Sequence, residues 1–201
     1  NIKTIFSAKV AFAALTNESS VVAWGNPYSG GKVPTSIASL KNIKTIFSTS
    51  QAFAALTNEN SVVAWRNSNN GGTVPPEISS LKNIKTIFST DTAFAALTYE
   101  NSVIAWGNSD FGGDVPSEIA SLKNIKTVFS TSNAFAALTY ENSVVAWGSS
   151  SGGGTVPTSI ASLKKIKTIF STSDAFAALT NENSVVAWGV SSKGGTLPTS
   201  I

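Results

Sequence analysis

The sequence predicts an all-β fold, a β-propeller-type array of five 41-residue blades with three to four antiparallel strands each, and three observations predict it. Residues 1–41, 42–82, 83–123 and 124–164 align without a gap, and 165–201 is a fifth copy lacking its last four positions. A unit of this length repeated in tandem falls in the range of propeller blades. Each copy carries three short segments of β-branched and aromatic residues bounded by polar turn residues. None of those segments alternates cleanly between apolar and polar residues, so both faces of each small sheet must be covered, and sheets stacked on one another achieve this. A β-solenoid or an open superhelical stack is the competing architecture. The chain reads as one repeat domain over 1–201.

In the first copy, NIKTIFSAKVAFAALTNESSVVAWGNPYSGGKVPTSIASLK, the strands are expected at Ile2 to Ser7, Ala11 to Thr16 and Val21 to Trp24. A weaker fourth strand is expected through Val33 to Ile37. Only Asn17 to Ser20 separate the second and third segments, which suits an antiparallel hairpin and is too short for a parallel crossover. Gly30, Gly31 and Pro34 punctuate the long connection to the next copy. Ala13, Ala14 and Ala23 let neighbouring sheets approach, while Phe6, Phe12, Leu15 and Trp24 fill the space between them. Pro, Gly and β-branched residues leave no window of helical period.

Of 201 residues, 42% are hydrophobic and only 12% charged, a composition of a folded β protein and not of a disordered chain. No run of about 18 apolar residues occurs, which excludes a membrane-spanning helix and predicts no membrane insertion. With no initiator Met and no signal-like apolar segment, the chain reads as an excised or mature piece. Cysteine and histidine are absent. There is therefore neither a disulfide framework nor a thiolate or imidazole metal site, and no His-based triad or imidazole base.

What remains for chemistry is carboxylates, Lys, Ser and Tyr. The acids outside the repeated Glu are Glu77, Asp91, Asp110, Asp114, Glu118 and Asp174, all in turn-like contexts and read as solvated loop charges. Asp110 with Asp114 is the single local pair that could serve a two-carboxylate hydrolase. Gly152-Gly153-Gly154 lacks the helix and Lys-Ser/Thr of a phosphate-binding loop. The five tryptophans, Trp24, Trp65, Trp106, Trp147 and Trp188, sit inside apolar strands and read as core, not as sugar platforms. Tyr28, Phe111, Tyr99 and Tyr140 each replace a polar residue at their loop positions and are candidate binding aromatics.

The basic residues follow the repeat. Lys3, Lys44, Lys85, Lys126 and Lys167 occupy one position, and Lys41, Lys82, Lys123, Lys164 and Lys165 mark the junctions, ten of the fourteen in all. Glu18, Glu59, Glu100, Glu141 and Glu182 recur in the hairpin turn, on the same rim as the junctions if the strands run up and down. Alternating Lys and Glu around that rim argues against nucleic acid, which calls for an uncompensated basic stripe. The copies differ chiefly at positions 8–10 and 26–29 and their equivalents, which fall on the opposite rim.

SVVAWG, then Gly-Gly and Val-Pro, then a strand ending in FAALT, resembles the short bacterial version of the regulator-of-chromosome-condensation repeat. Residues 62–75 (VVAWRNSNNGGTVP) and 52–56 (AFAAL) carry the pattern. The resemblance extends to a propeller-shaped β-lactamase inhibitor, and it implies a propeller of about seven blades that binds proteins through loops at one face. The chain departs from the family at Thr49 and Ala52, where Gly and His usually lead into the second strand, at Gly71-Gly72 for Gly-Gln, and at Trp65-Arg66 for Trp-Gly. The family's individual activities are not carried over to residues of this chain.

These readings predict a non-enzymatic interaction module without cofactor or metal, presenting variable loops to a protein or glycan. Its candidate binding residues are Tyr28, Asp110, Phe111, Asn69, Lys9, Asp91 and Asp174. A structural repeat protein that self-associates into a filament or cell-surface layer is the alternative, and a carboxylate hydrolase the third. An extracellular or cell-surface setting is compatible with the lack of Cys and Met.

Overall fold

A computed structural model describes residues 1–200. It contains five three-stranded antiparallel sheets in series, each confined to one repeat. The first blade consists of β1 (Ile2–Ser7), β2 (Ala11–Thr16) and β3 (Val21–Gly25), the second of β4 (Ile43–Ser48), β5 (Ala52–Thr57) and β6 (Val62–Arg66). β7 (Ile84–Ser89), β8 (Ala93–Thr98) and β9 (Val103–Gly107) form the third. β10 (Ile125–Ser130), β11 (Ala134–Thr139) and β12 (Val144–Gly148) form the fourth, and β13 (Ile166–Ser171), β14 (Ala175–Thr180) and β15 (Val185–Gly189) the fifth. Strands pair within repeats and not between them, which is the pattern of propeller blades; a solenoid would pair equivalent strands of successive repeats.

Hydroxyl groups and one left-handed residue close each hairpin. Thr57 Oγ1 and Ser61 Oγ lie 2.8 Å apart, and the Ser61 amide donates to Thr57 Oγ1. The left-handed residue is Ser19 in the first blade and Asn60, Asn101, Asn142 or Asn183 in the others, a conformation that Asn tolerates better than most side chains.

The fourth strand expected through Val33 to Ile37 does not form. Thr35–Ala38 is a short α-helix, α1, and Pro76–Ser79, Ser117–Ala120 and Thr158–Ala161 repeat it as α2, α3 and α4. Pro34 explains the change. Its ring fixes φ near −60° and its carbonyl accepts from the Ile37 and Ala38 amides, which starts a helical turn. Ile37 is thereby turned into the core instead of along a strand.

Each core lies between two blades. The trailing face of blade 1 (Ala11, Ala13, Leu15, Val21, Ile37) packs on the leading face of blade 2 (Ile43, Ile46, Phe53, Ala55, Trp65), and blades 2 to 5 continue the pattern. Phe53 opposes Trp65 in register and stacks on it, ring centres 5.2 Å apart. Burying such a pair contributes several kcal/mol, at about 25 cal/mol per Å² of apolar surface.

Three hydrogen bonds recur at each step. The Trp65 indole donates to the Gly30 carbonyl at 3.0 Å, the Lys9 amide to the Ser50 carbonyl at 3.1 Å, and the Ile43 amide to the Ser19 carbonyl at 2.8 Å. Gly30 must be glycine: its φ is +102°, and a Cβ there would lie 2.4 Å from Phe53 Cδ2.

The array does not close within residues 1–200. On blade 1 the leading residues Ile2, Ile5, Phe12 and Trp24 are 44–55% exposed, whereas Phe53, Phe94 and Phe135 and their partners Trp65, Trp106 and Trp147 are at most 1% exposed. At the other end Phe170 on the trailing face of blade 5 is 61% exposed. Both sheet faces are thus covered in the inner blades but not at the two ends.

Candidate functional site

Up-and-down connectivity places the β1–β2 loop and the exit of β3 on one rim, and the Asn26 amide ties them by donating to the Val10 carbonyl at 3.0 Å. At the centre of this rim the loops joining the first and second strands of all five blades converge on one recess of about 710 Å³. Its walls are hydroxyls and amides: Ser48, Ser50 and Gln51 from blade 2, Ser89 and Thr90 from blade 3, Ser132 and Asn133 from blade 4, Ser173 from blade 5. Lys9 and Asp91 supply one charge of each sign.

The recess is held by main-chain bonds that run round the axis. Lys9 donates to Ser50, Ser50 to Asp91, Asp91 to Ser132 and Ser132 to Ser173, at 2.8–3.1 Å. The Asp91 carbonyl also accepts from Ser50 Oγ at 2.7 Å and Asn70 Nδ2 at 3.3 Å. Its carboxylate takes no part in this chain and stays exposed.

A threonine clamps the recess loop to the outer turn in four of the five blades. Thr49 Oγ1 donates to the Asn70 carbonyl at 2.9 Å and accepts from the Ala52 amide at 3.1 Å. Thr90, Thr131 and Thr172 make the same two bonds to Phe111, Gly152 and Lys193 and to Ala93, Ala134 and Ala175. Ala8 stands at this position in blade 1 and cannot. Positions 8–10, expected as one variable loop, thus begin with a residue that is structural in four blades.

The predicted binding residues divide into two groups on this rim. Lys9 and Asp91 line the recess, and Asp174 borders it, its carboxylate accepting from Asn133 Nδ2 at 3.4 Å and Ser173 Oγ at 2.7 Å. Tyr28, Asn69, Asp110 and Phe111 sit further out on one-turn 3-10 helices that open each long connection. Their turns are set by an Asn side chain: the Tyr28, Asn69 and Asp110 amides donate to Oδ1 of Asn26, Asn67 and Asn108 at 2.8–3.0 Å. Tyr28 is 81% exposed. Asn69 lines a shallow groove with Ser68, Asn108 and Ser109 between blades 2 and 3. Phe111 is half-buried, with its carbonyl bound to Thr90. Tyr99 and Tyr140 lie in hairpins and so on the opposite rim.

That opposite rim differs in detail from the expected Lys/Glu alternation. Ion pairs form between Lys41 and Glu18 and between Lys165 and Glu182. In the three middle blades the residue facing the hairpin Glu is Asn42, Asn83 or Asn124, whose amide donates to Glu59, Glu100 or Glu141. Four of the five tryptophans are core; Trp24 is 45% exposed. Asp110 and Asp114 are both exposed, and neither lines the recess. Among the described residues no three acidic side chains gather as metal ligands, and no helix is long and apolar enough to cross a membrane.

No family model and no curated protein matches this sequence. Solved structures do match. The ectodomain of the receptor kinase CR4 from Physcomitrella patens superposes with a TM-score of 0.65 at 14% identity, covering 100% of this chain and 55% of that one. Prp20p of Saccharomyces cerevisiae, described with its binding properties to Gsp1p and histones, gives 0.60 at 20% identity over 94% of this chain and 57% of that one. Human WBSCR16 gives 0.63 at 16% identity, covering 94% and 62%. The chain thus spans little more than half the length of these proteins. The yeast match is also known as RCC1, so the fold of this chain is that of an RCC1-like propeller array.

Proposed function

We propose that this chain is a non-enzymatic interaction module that presents the rim around the axial recess to a protein partner. The carrying observation is a coincidence of place. The positions at which five otherwise near-identical repeats differ chiefly, 8–10 and 26–29 and their equivalents, lie on one rim, around a recess whose volume lies within the range of ligand sites, roughly 300–1,000 Å³. Residues that serve only packing have no reason to diverge on one side.

A protein is favoured over a glycan because no aromatic ring lines the recess and four tryptophans are buried, which leaves no sugar-stacking platform there. Hydroxyls, amides and one charge of each sign suit the polar side chains of an inserted loop. Prp20p, with its binding to Gsp1p and histones, is a precedent for protein binding on this fold. The lack of Cys and Met fits a partner outside the cell or at its surface.

The test is a comparison of two rims. Immobilised wild-type chain, a loop-rim variant (Tyr28→Ala, Asp91→Ala, Asp110→Ala) and a hairpin-rim variant (Tyr99→Ala, Tyr140→Ala) are exposed to the same protein mixture. A partner bound by the first and third but lost from the second supports the proposal. Equal capture by all three, or loss only from the hairpin-rim variant, refutes it.

A further inference from the structure

One irregularity recurs in the first strand of every blade. Pairing between β4 and β5 slips by one residue between Ile43 and Thr45, which leaves Lys44 as the extra residue of a β-bulge. Lys3, Lys85, Lys126 and Lys167 stand at the same slip in the other blades. A bulge re-aims its extra side chain out of the regular two-face alternation. These lysines are accordingly exposed, whereas Ile43 and Ile46 on the same strand are at most 2% exposed. The first strand is an edge strand of each sheet and lies beside the first strands of the adjacent blades, so the first strands form the inner wall of the array. Their N-terminal ends, which carry the lysines, lie at the hairpin rim, at the other end of the axis from the recess.

The charge balance at this rim is positive. Ten of the fourteen Lys and Arg side chains and five of the eleven Asp and Glu side chains belong to it, which leaves a surplus of five positive charges there and of two negative charges over the rest of the chain. The rim glutamates do not neutralise the bulge lysines. Among the described residues the ion pairs are Lys41 with Glu18 and Lys165 with Glu182, both made by junction lysines. Glu59, Glu100 and Glu141 accept from Asn42, Asn83 and Asn124 instead. All five glutamates sit on hairpins between second and third strands, farther from the axis than the first strands. The result is an inner circle of ammonium groups without carboxylate partners, inside an outer circle of carboxylates. Lys44, Lys85 and Lys126 belong to blades flanked on both sides, so the arrangement is a property of the interior of the array.

We infer that the circle of bulge lysines is a binding site for a compact multivalent anion, one that carries several phosphate groups close together. Three features select this class. Ammonium groups are compact point charges with rotatable donors, which suit phosphate oxygens of varied direction, whereas bidentate recognition of a planar carboxylate calls for Arg. The lysines come from separate blades, so a ligand engages more than one of them only if it carries several anionic groups. The outer glutamates repel an extended polyanion laid across the rim, such as a nucleic acid backbone, but spare a small one held on the axis. Binding also relieves the mutual repulsion of the lysines. The site lies at the opposite rim from the variable loops and does not depend on the protein-binding proposal above.

The probe is sodium tripolyphosphate, titrated calorimetrically into the 201-residue chain, with inorganic monophosphate and a short single-stranded oligonucleotide titrated in parallel. Tripolyphosphate is expected to bind, more weakly as salt is raised, and to raise the melting temperature. Monophosphate should bind about tenfold more weakly, since it engages fewer lysines at once. Two triple variants, each removing three charges, locate the site. Lys44→Gln, Lys85→Gln and Lys126→Gln together should weaken tripolyphosphate binding by about tenfold, the effect of three exposed charge contacts. Circular dichroism should be unchanged, because all three side chains are exposed. Lys82→Gln, Lys123→Gln and Lys164→Gln together, at the junctions, should keep the affinity within about twofold. Absence of binding to the wild type overturns the inference, and so does equal weakening by the two triple variants, which would mean attraction to net charge and not a site. An oligonucleotide that binds more tightly per phosphate than tripolyphosphate also overturns it and would point to nucleic acid on this rim.

Discussion

Replacing tryptophan by phenylalanine at two equivalent positions separates an internal interface from an open end. Trp106 is 1% exposed and donates to the Gly71 carbonyl at 2.9 Å, while Trp24 is 45% exposed and has no such acceptor. Trp106→Phe leaves the Gly71 carbonyl buried without its donor, which costs about 1–3 kcal/mol. The smaller ring adds about 1 kcal/mol for the void it leaves, a fraction of the 3–5 kcal/mol of a full truncation to Ala. The loss falls on the coupling between blades 2 and 3, where the stability of a repeat array resides. At Trp24 the same change is expected to stay within about 0.5 kcal/mol, as for other exposed substitutions. In urea, with a slope of about 2 kcal/mol per M, Trp106→Phe should lower the midpoint by about 1–2 M and Trp24→Phe by a few tenths at most. The measurement is far-ultraviolet circular dichroism at a protein concentration low enough to keep chains separate. Equal losses at both positions, or a larger one at Trp24, would refute the reasoning.

Other consequences follow from single residues. Arg66 sits at φ +86° where four other blades have glycine at φ +99° to +111°. Arg66→Gly should therefore raise stability by about 1 kcal/mol, the strain of a side chain in the left-handed region less the entropy glycine returns to the unfolded chain; a lowered melting temperature would contradict this. Thr131→Val should cost about 1–3 kcal/mol, because the Gly152 carbonyl and the Ala134 amide lose their shared hydroxyl. Hydrogen exchange at Ala134 should accelerate in that variant. Conversely, Ala8→Thr should slow exchange at Ala11 by supplying the clamp blade 1 lacks, and no change there would argue against the clamp.

The period and the three strands of each blade were legible in the sequence because they depend on local residue type: β-branched runs, a four-residue hairpin and Gly-Pro punctuation. Val33 to Ile37 misled because its apolar residues have strand composition, while the deciding signal was Pro34, whose fixed φ opens a helical turn and which reads in the sequence as simple punctuation. The two-rim assignment also followed from connectivity alone. The recess did not, since its walls come from loops 41 residues apart that meet only around the axis. A Ser-Thr-Ser run at the end of the first strand of blades 2, 4 and 5 was the available signal, and it reads as an ordinary turn. The open end was equally hidden. Phe12 and Trp24 are the same residues as Phe53 and Trp65, and only the presence or absence of a neighbouring blade makes one pair surface and the other core.

The claim that five blades form an open array, each locked to the last through its tryptophan, is tested most directly by hydrogen exchange of the five indole N–H groups in an NMR spectrum of the dilute chain. Four should exchange slowly, those bonded to Gly30, Gly71, Gly112 and Gly153, and one, Trp24, should exchange at close to the rate of a free indole. Five equally protected indoles would mean a closed ring, and five fast ones would mean that the blades are not joined in this way at all.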